Sequence, residues 1–486
     1  MNPYPRGLTV VSGRWSVAGK SRSCWPLTTG HFTSKTGTMQ RLVIINVVGL
    51  TPKLIRLAPR LSKLAAKPLT GVFPAVTMSA QAGMLTGTQP AEHGVVGNTW
   101  FWRELGEVRN WVQSNRLIQR EPLYRTAKQR DESFTCAKMF WWFNQGSGCD
   151  WSCTPKPHYG SDGSKEFDIL TEPPELAGDL KGALGDFPFH AFWGPMAGLP
   201  SSDWIARATA KVMRDKQPTL TLCYLPHLDY DLQRFGDKAD VDRLVREVDA
   251  CAARVLDAAA EIDAKVLVVS EYGITPVNKP VFPNRELRRA GFMRVRQGPF
   301  GEMLDVHESR AFAVCDHQAA HVYVRDAGDI ETVKSLLAGT DGVARILAGD
   351  ERGGLGIDHA NAGDIVVLSE PDAWFAYPYW LDDANAPDFA RSVDIHRKPG
   401  YDPCELFLAG SKFGMGLTLL RKKLGFRYRF RSCPLDASLV KGSHGLPARA
   451  PEDGPVIACD NADTLPDAPA MTDVKGLALR MMGLDS

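Results

Sequence analysis

Residues 219–273 decide the fold class and read TLTLCYLPHLDYDLQRFGDKADVDRLVREVDACAARVLDAAAEIDAKVLVVSEYG. The runs TLTLCYLP and AKVLVVS are short and almost entirely apolar, which is typical of strands buried on both faces of a parallel sheet. Between them, residues 239–263 place apolar side chains at helical spacing. Two strands joined by a long helix form a βαβ unit, so we predict an α/β fold with a largely parallel central sheet and helices on both faces.

Other segments extend this core along the 486-residue chain. RLVIINVV (residues 41–48) predicts another buried strand, and we expect the core to occupy residues 39–304 and to close over residues 441–486. Residues 305–440 mix short strands, a helix and a long loop rich in charged and aromatic residues, so we predict an inserted cap subdomain there. Residues 145–200 are rich in Gly, Pro and aromatic residues, and they predict an excursion over the top of the sheet.

The first 38 residues differ in composition from the rest. Residues 1–38 contain five Lys or Arg and no Asp or Glu. They include no apolar segment of the length that a secretory signal needs. We therefore expect a disordered extension ahead of a start at Met39, and a transit-type peptide is the alternative.

Charge and cysteine usage narrow the class of protein. The net charge of +1 gives no argument for a nucleic-acid partner, and no run reaches the ~18 to 20 apolar residues of a membrane helix. The ten cysteines are scattered, and only Cys149 and Cys153 lie close together. We predict reduced thiols in a cytoplasmic protein, with a disulfide or half a metal site at that pair as the alternative.

Polar residues follow two of the predicted strands directly. Asp229 and Asp231 come after TLTLCYLP, and Glu271 and Tyr272 come after AKVLVVS. Ligands of parallel α/β sheets bind beyond the carboxyl ends of the strands, so we expect these side chains to converge on one edge. Carboxylates there can hold a divalent cation. They can equally cap turns, pair with a neighbouring Arg or face solvent.

The segment FPAVTMSAQAGMLTGTQPAEHGVVGN (residues 73–98) carries a candidate nucleophile. Thr77 precedes MSAQAGMLTG, which has enough Ala and Met to form a helix. A hydroxyl there lies at the positive end of the helix dipole, beside free N–H groups that suit a phosphate. The alternative is an N-cap threonine that contributes ~1 kcal/mol and nothing else. His444, in the turn GSHG, is either a structural histidine or a ligand.

Taken in order, these segments resemble the type I phosphodiesterase/nucleotide pyrophosphatase family of the alkaline phosphatase superfamily. Residues 73–98 match its pattern of Phe-Pro-x-x-Thr, a helix, Thr-Gly-x-x-Pro-x-x-His-Gly and Asn. RLVIINVVGL, YLPHLDYDLQRFG, VLVVSEYGI and GSHG follow the order of the family, and residues 451–486 resemble its closing strand and helix. The resemblance implies an alkaline-phosphatase-like fold and hydrolysis of phosphate compounds.

Five positions take roles from this resemblance. Thr77 matches the nucleophile that attacks phosphorus, and Asn98 matches the residue that donates a hydrogen bond to a phosphoryl oxygen. Asp229 and His444 match two ligands of the first metal. Glu271 stands where the family has an aspartate on the second metal.

Three other metal-ligand positions depart from the family. Val48 replaces a carboxylate of the second metal, while Gln233 and Tyr272 replace histidines, and we predict that these two contact substrate instead. Zinc is usually held by three or four protein ligands. We therefore predict one divalent cation rather than two, either zinc or a harder ion such as Mg²⁺ or Mn²⁺ that accepts carboxylates and water.

Two further acid–histidine pairs are candidate ligands. Asp394 and His396 lie in VDIHRKPGYDP, and Asp316 and His317 lie in VCDHQAAH. The alternative is that they are ordinary polar residues of a loop and a strand. We keep both interpretations open.

The leading hypothesis is a metal-assisted hydrolase that uses Thr77 on a small phosphodiester, pyrophosphate or phosphonate-type substrate. One alternative is a catalytically degenerate protein of the same fold that binds a phosphorylated metabolite, which Val48 and Tyr272 favour. Another is a transferase or isomerase that uses the same threonine. In each case the expected partner is a small phosphorylated metabolite.

Overall fold

The computed structural model describes residues 39–161, 164–410, 420–421, 424–426 and 431–484. The extension predicted for residues 1–38 lies outside the described residues. The helices are α1 (Pro52–Ile55), α2 (Thr77–Thr86), α3 (Pro90–His93), α4 (Leu123–Arg130), α5 (Glu175–Leu184), α6 (Leu199–Lys216), α7 (His227–Phe235), α8 (Val241–Glu261), α9 (Pro283–Arg289), α10 (Ile330–Ala338) and α11 (Val474–Met481).

The strands of the described residues run from β1 near the start to β20 near the end. They are β1 (Arg41–Val47), β2 (Ala65–Pro68), β3 (Thr99–Trp102), β4 (Glu107–Asn110), β5 (Cys136–Met139), β6 (Trp151–Tyr159), β7 (Lys165–Glu172), β8 (Leu220–Leu225), β9 (Ala264–Val269), β10 (Thr275–Pro276), β11 (Lys279–Val281), β12 (Val295–Gly298), β13 (Gly301–Leu304), β14 (Ala311–Asp316), β15 (Ala319–Val324), β16 (Val343–Ala348), β17 (Ile365–Ser369), β18 (Ala373–Phe375), β19 (Gly442–Ser443) and β20 (Val456–Cys459). Short 3-10 turns connect many of these elements.

The central sheet has eight strands in the order β2-β20-β9-β1-β8-β5-β6-β7. Its five inner strands, from β9 to β6, pair in parallel, and the strands outside them pair antiparallel. Parallel strands are covered on both faces, which explains why β1, β8 and β9 consist mainly of buried apolar side chains. The predicted α/β class is confirmed.

The βαβ unit predicted from residues 219–273 is present. Helix α8 joins β8 to β9, and β1 lies between these two strands. The register pairs Val47 with Leu225 and Asn46 with Val269, so the three strands end at almost the same level. This alignment brings the residues that follow β1, β8 and β9 to one edge of the sheet.

The remaining strands lie mostly outside the central sheet. Strands β14, β15, β17 and β16 form an antiparallel sheet of their own within the stretch predicted as a cap. The predicted boundaries at residues 304 and 440 stay a prediction. Residues 145–200 are not only an excursion, because β6 and β7 within them form a hairpin that extends the central sheet.

None of the described helices is both long enough and apolar enough to cross a bilayer. The nine cysteines of the described residues are buried free thiols, and they include Cys149 and Cys153. A disulfide between those two residues is therefore absent. The predicted cytoplasmic location stays a prediction.

Candidate active site

Thr77 is the first residue of helix α2, and its hydroxyl does not cap that helix. Val76 is the N-cap residue, and its extended backbone (φ −133°, ψ 161°) leads into the helix without a side-chain cap. Thr77 is 2% exposed, and its Oγ1 lies 3.2 Å from the Tyr272 hydroxyl oxygen. The capping alternative is therefore wrong, and the hydroxyl stands among the residues at the sheet edge.

Asn98 lies beside the start of α2. Its Oδ1 accepts a hydrogen bond from the Met78 backbone N–H at 2.9 Å, and its own backbone N–H donates to Asp316 Oδ2 at 2.7 Å. Asn98 Nδ2 makes a longer bond of 3.3 Å to Asp316 Oδ1. Asn98 thus fixes the loop to the first turn of the helix, and its role towards a phosphoryl oxygen stays a prediction.

Asp229 lies in the first turn of α7, immediately after β8. Its Oδ2 accepts from Gln233 Nε2 at 2.8 Å, one helical turn further on, and its Oδ1 accepts from the Tyr272 hydroxyl at 3.3 Å. Burial raises the pKa of Asp229 to about 7. Asp231 instead pairs with Arg234 and with an arginine of α8, so it does not join this cluster.

Glu271 follows β9 and is fully buried. Its Oε1 accepts from Asn46 Nδ2 and from Gln81 Nε2, each at 2.7 Å. Its Oε2 has no hydrogen-bond partner among the described residues. Burial raises the pKa of Glu271 to about 8. One carboxylate oxygen is therefore fully engaged, while the other is buried and unpaired.

Four aromatic rings stack in a row beside these acids. The Tyr272 ring lies 3.6 Å from the His444 ring at an interplanar angle of 8°. His444 lies 3.7 Å from His317, which in turn lies 3.7 Å from Tyr401. The Tyr401 hydroxyl donates to Gln233 Oε1 at 2.7 Å. Burial lowers the pKa of both histidines well below the usual range, so both imidazoles are neutral.

The two additional acid–histidine pairs lie in different places. Asp316 Oδ1 is 2.8 Å from His317 Nδ1 at the end of β14, so this pair belongs to the cluster. Burial raises the pKa of Asp316 to about 6. Asp394 instead forms an ion pair with a neighbouring arginine, and His396 Nδ1 bonds to a backbone oxygen of β4. The described contacts do not join Asp394 or His396 to Thr77.

Asp229 and His444 are the donors of the first predicted metal position. The backbone oxygen of Ala75 can only accept, so His444 Nδ1 donates to it at 2.8 Å and His444 Nε2 keeps its lone pair. That nitrogen faces Asp229 Oδ1 at 3.9 Å, which leaves two acceptors directed at each other. At the second position, Val48 is apolar and fully buried, and a neutral Tyr272 phenol is a poor ligand.

Zinc and a harder ion place different demands on this donor set. Among the described residues, no three His, Cys, Asp or Glu side chains gather as a metal site. Zinc is usually held by three or four protein ligands, whereas Mg²⁺ is often held by one or two carboxylates, with waters and substrate phosphates in its other positions. The Asp229 carboxylate suits Mg²⁺ or Mn²⁺ and the His444 imidazole suits zinc, so the identity of the ion stays a prediction.

The structure adds three polar residues that the sequence analysis missed. Asn46 interrupts the apolar run of β1, and Gln81 lies one turn after Thr77, so both positions carried a local signal. Tyr401 carried no local signal, because its contact is with Gln233, which lies 168 positions away in the sequence.

Comparisons with known proteins agree with this architecture. The sequence profile described as type I phosphodiesterase / nucleotide pyrophosphatase matches residues 42–402. No curated protein matches the chain. Murine ectonucleotide pyrophosphatase / phosphodiesterase 5 has a similar structure, with a TM-score of 0.58, 12% identity and coverage of 92% of this chain and 96% of the other.

Two further solved structures are similar over the same shares of both chains, 92% and 96%. One is an inactive form of the murine protein in complex with AMP, with a TM-score of 0.56 and 12% identity. The other is phosphonoacetate hydrolase from Sinorhizobium meliloti 1021 in complex with phosphonoformate, with a TM-score of 0.57 and 15% identity. At these identities the similarity shows the fold alone.

Proposed function

Since the chain belongs to the type I phosphodiesterase / nucleotide pyrophosphatase family, we propose that it hydrolyses a small phosphodiester, pyrophosphate or phosphonate-type substrate through Thr77. The observation that carries this proposal is the position of the Thr77 hydroxyl. It begins a buried helix, caps nothing, and lies 3.2 Å from a tyrosine that also contacts the Asp229 carboxylate. The bound AMP of one similar structure, and the name and bound phosphonoformate of the phosphonoacetate hydrolase, support this substrate class.

The reaction proceeds in two steps at Thr77. In the first step, the Thr77 oxygen bonds to phosphorus, the bond from phosphorus to the leaving group breaks, and the hydroxyl proton passes to the leaving group or to water. In the second step, a water oxygen bonds to phosphorus, the bond from phosphorus to the Thr77 oxygen breaks, and a proton of that water restores the Thr77 hydroxyl. Such transfers depend mainly on positioning and on stabilisation of charge, and the positive end of the α2 dipole favours a phosphoryl oxygen there.

Three buried acids without a basic partner favour a bound cation. Asp229, Glu271 and Asp316 are all buried, and in the described part of the chain no Lys or Arg side chain pairs with any of them. Among the side chains of the described cluster, an anionic substrate would meet carboxyl groups, amides, hydroxyls and neutral rings, and no Lys or Arg. A divalent ion held by Asp229 and His444 would supply the positive charge that offsets both the substrate and the acids.

A second candidate function is binding without hydrolysis. Val48 favours it, because this buried apolar side chain stands where the family resemblance implies a carboxylate of the second metal. A site of this kind would bind a phosphorylated metabolite and leave it intact.

Turnover of bis-p-nitrophenyl phosphate in the presence of Mg²⁺ or Mn²⁺ separates the two candidates. We expect Thr77→Ala to lower kcat at least about 1000-fold, as loss of a nucleophile does. Thr86→Ala is the matched control, since Thr86 is a buried threonine at the far end of the same helix. Equal rates for wild type and Thr77→Ala would refute the proposal. Calorimetric binding of AMP or phosphonoacetate without any turnover would favour the second candidate.

A further inference from the structure

The Tyr272 hydroxyl lies between the candidate nucleophile and an acid. Its oxygen is 3.2 Å from Thr77 Oγ1 and 3.3 Å from Asp229 Oδ1. Thr77 and Tyr272 are both almost completely buried, so bulk water does not compete for these two bonds. This arrangement links the two side chains through one phenol.

When Asp229 is ionised, the donors and acceptors in this link have one consistent order. An ionised Asp229 carboxylate accepts and cannot donate, so the single Tyr272 proton points to Asp229. The Tyr272 oxygen is then the acceptor for the Thr77 hydroxyl. Directed in this way, the Thr77 proton faces Tyr272, and the lone pairs of Thr77 Oγ1 are left for the substrate.

The Tyr272 ring is held firmly in this position. It stacks against His444 at 3.6 Å and nearly parallel, and His444 is fixed in turn by its bond to the Ala75 oxygen. His317 packs against the opposite side of His444 at 3.7 Å. Rotation of the Tyr272 ring would disrupt this stack, so its hydroxyl oxygen is a fixed acceptor.

A second cation would find few ligands at Thr77. Val48 offers no ligand atom, and Glu271 can offer only Oε2, because Oε1 already accepts from the amides of Asn46 and Gln81. We propose that Tyr272 is a catalytic residue whose hydroxyl holds Thr77 Oγ1 in the attacking orientation, at the place where a second cation would otherwise bind the nucleophile. This inference rests on the proposed function of Thr77.

The test is Tyr272→Phe, which removes one oxygen atom and retains the ring stack. We expect kcat for bis-p-nitrophenyl phosphate to fall about 10- to 100-fold, the effect of one hydrogen bond to a reacting group. KM should stay within about twofold, since the proposed role of the phenol is to hold Thr77. The number of Mn²⁺ ions bound per chain should not change, because Asp229 and His444 are untouched.

Tyr379→Phe is the control. This variant also removes a buried phenol oxygen with one hydrogen bond, to the Glu302 backbone oxygen, and that bond lies outside the cluster. Its kcat should equal that of the wild type. A Tyr272→Phe protein with wild-type kcat, or one whose only change is in KM, would overturn the inference.

The Thr77 χ1 angle in crystal structures of the variants tests the role of Tyr272 independently of any hydrolysis. In Tyr272→Phe we expect the Thr77 χ1 angle to change or to split between rotamers, while in Tyr379→Phe it should match the wild type. If the wild type hydrolyses none of the probes, the proposed function fails, and this angle still decides whether Tyr272 holds Thr77. An unchanged, single rotamer in Tyr272→Phe would refute the holding role.

Discussion

Val48→Asp tests whether one apolar side chain prevents a second cation from binding. Val48 is 0% exposed and directly follows β1. It lies two residues after Asn46, which contacts Glu271. A carboxyl group at position 48 would therefore be buried close to another acid.

The expected change in the free energy of unfolding of Val48→Asp combines two destabilising effects and one stabilising effect. Loss of the buried Val side chain and burial of an unpaired carboxyl together should lower the free energy of unfolding by about 3–5 kcal/mol in EDTA. A divalent ion that binds the new carboxylate with Glu271 only in the folded state would restore about 2.7 kcal/mol at a concentration 100 times its dissociation constant. The cation should thus recover much of the lost stability.

The assay is urea unfolding in EDTA and in excess Mn²⁺, compared between Val48→Asp and Val47→Asp. Val47 is equally buried at the end of β1, but it alternates to the other face of the sheet, away from Asn46 and Glu271. We expect Mn²⁺ to raise the midpoint of Val48→Asp more than that of the wild type or of Val47→Asp. Equal Mn²⁺ effects in both variants would refute the view that Val48 alone blocks the second position.

Two further predictions concern stability. Lys398 Nζ lies 2.7 Å from Asp402 and 2.6 Å from Glu405, and all three are buried. Lys398→Met should therefore lower the free energy of urea unfolding by about 3–5 kcal/mol. Arg397→Met, which removes an exposed ion pair, should lower it by less than about 1 kcal/mol. Equal losses in the two variants would contradict this account. Burial lowers the pKa of His93 to about 3 in the folded protein. As the pH falls below about 6.5, His93 is protonated in the unfolded chain before it is protonated in the folded one. The free energy of unfolding should therefore decline by several kcal/mol between pH 6.5 and 3. His93→Leu should flatten that decline in acid titrations followed by circular dichroism, and an unchanged slope would rule out His93 as its source.

Local patterns were sufficient to predict the centre of the fold. The apolar runs of β8 and β9 and the periodic apolar positions of α8 are properties of short segments, and each formed the element it predicted. The sheet-edge rule then placed Asp229 and Glu271 correctly with no knowledge of the rest of the chain. Both follow strands that pair directly with β1.

Other features depend on contacts that no local pattern encodes. The edge hairpin of β6 and β7 follows a Gly-containing stretch, and its strands mix buried, half-buried and exposed positions without a regular alternation. Tyr401 joins the site because its loop is folded back by the buried Lys398 and two acids. A sequence shows neither the path of such a loop nor the acids at its end.

The two departures from the family pattern at Val48 and Tyr272 together leave the second metal position with less negative charge. A second cation would bring two positive charges, and Val48 in place of a carboxylate removes one negative charge from the same position. Burial also raises the pKa of Tyr272 well above its usual value, so the phenol stays neutral and adds no charge. With the second ion absent, an aspartate at position 48 would be one more buried acid without a counter-ion, beside Glu271 whose pKa is already raised to about 8. In the proposed one-cation site, a buried valine therefore avoids an unpaired charge, and a neutral Tyr272 hydroxyl would hold Thr77 without requiring a second ion.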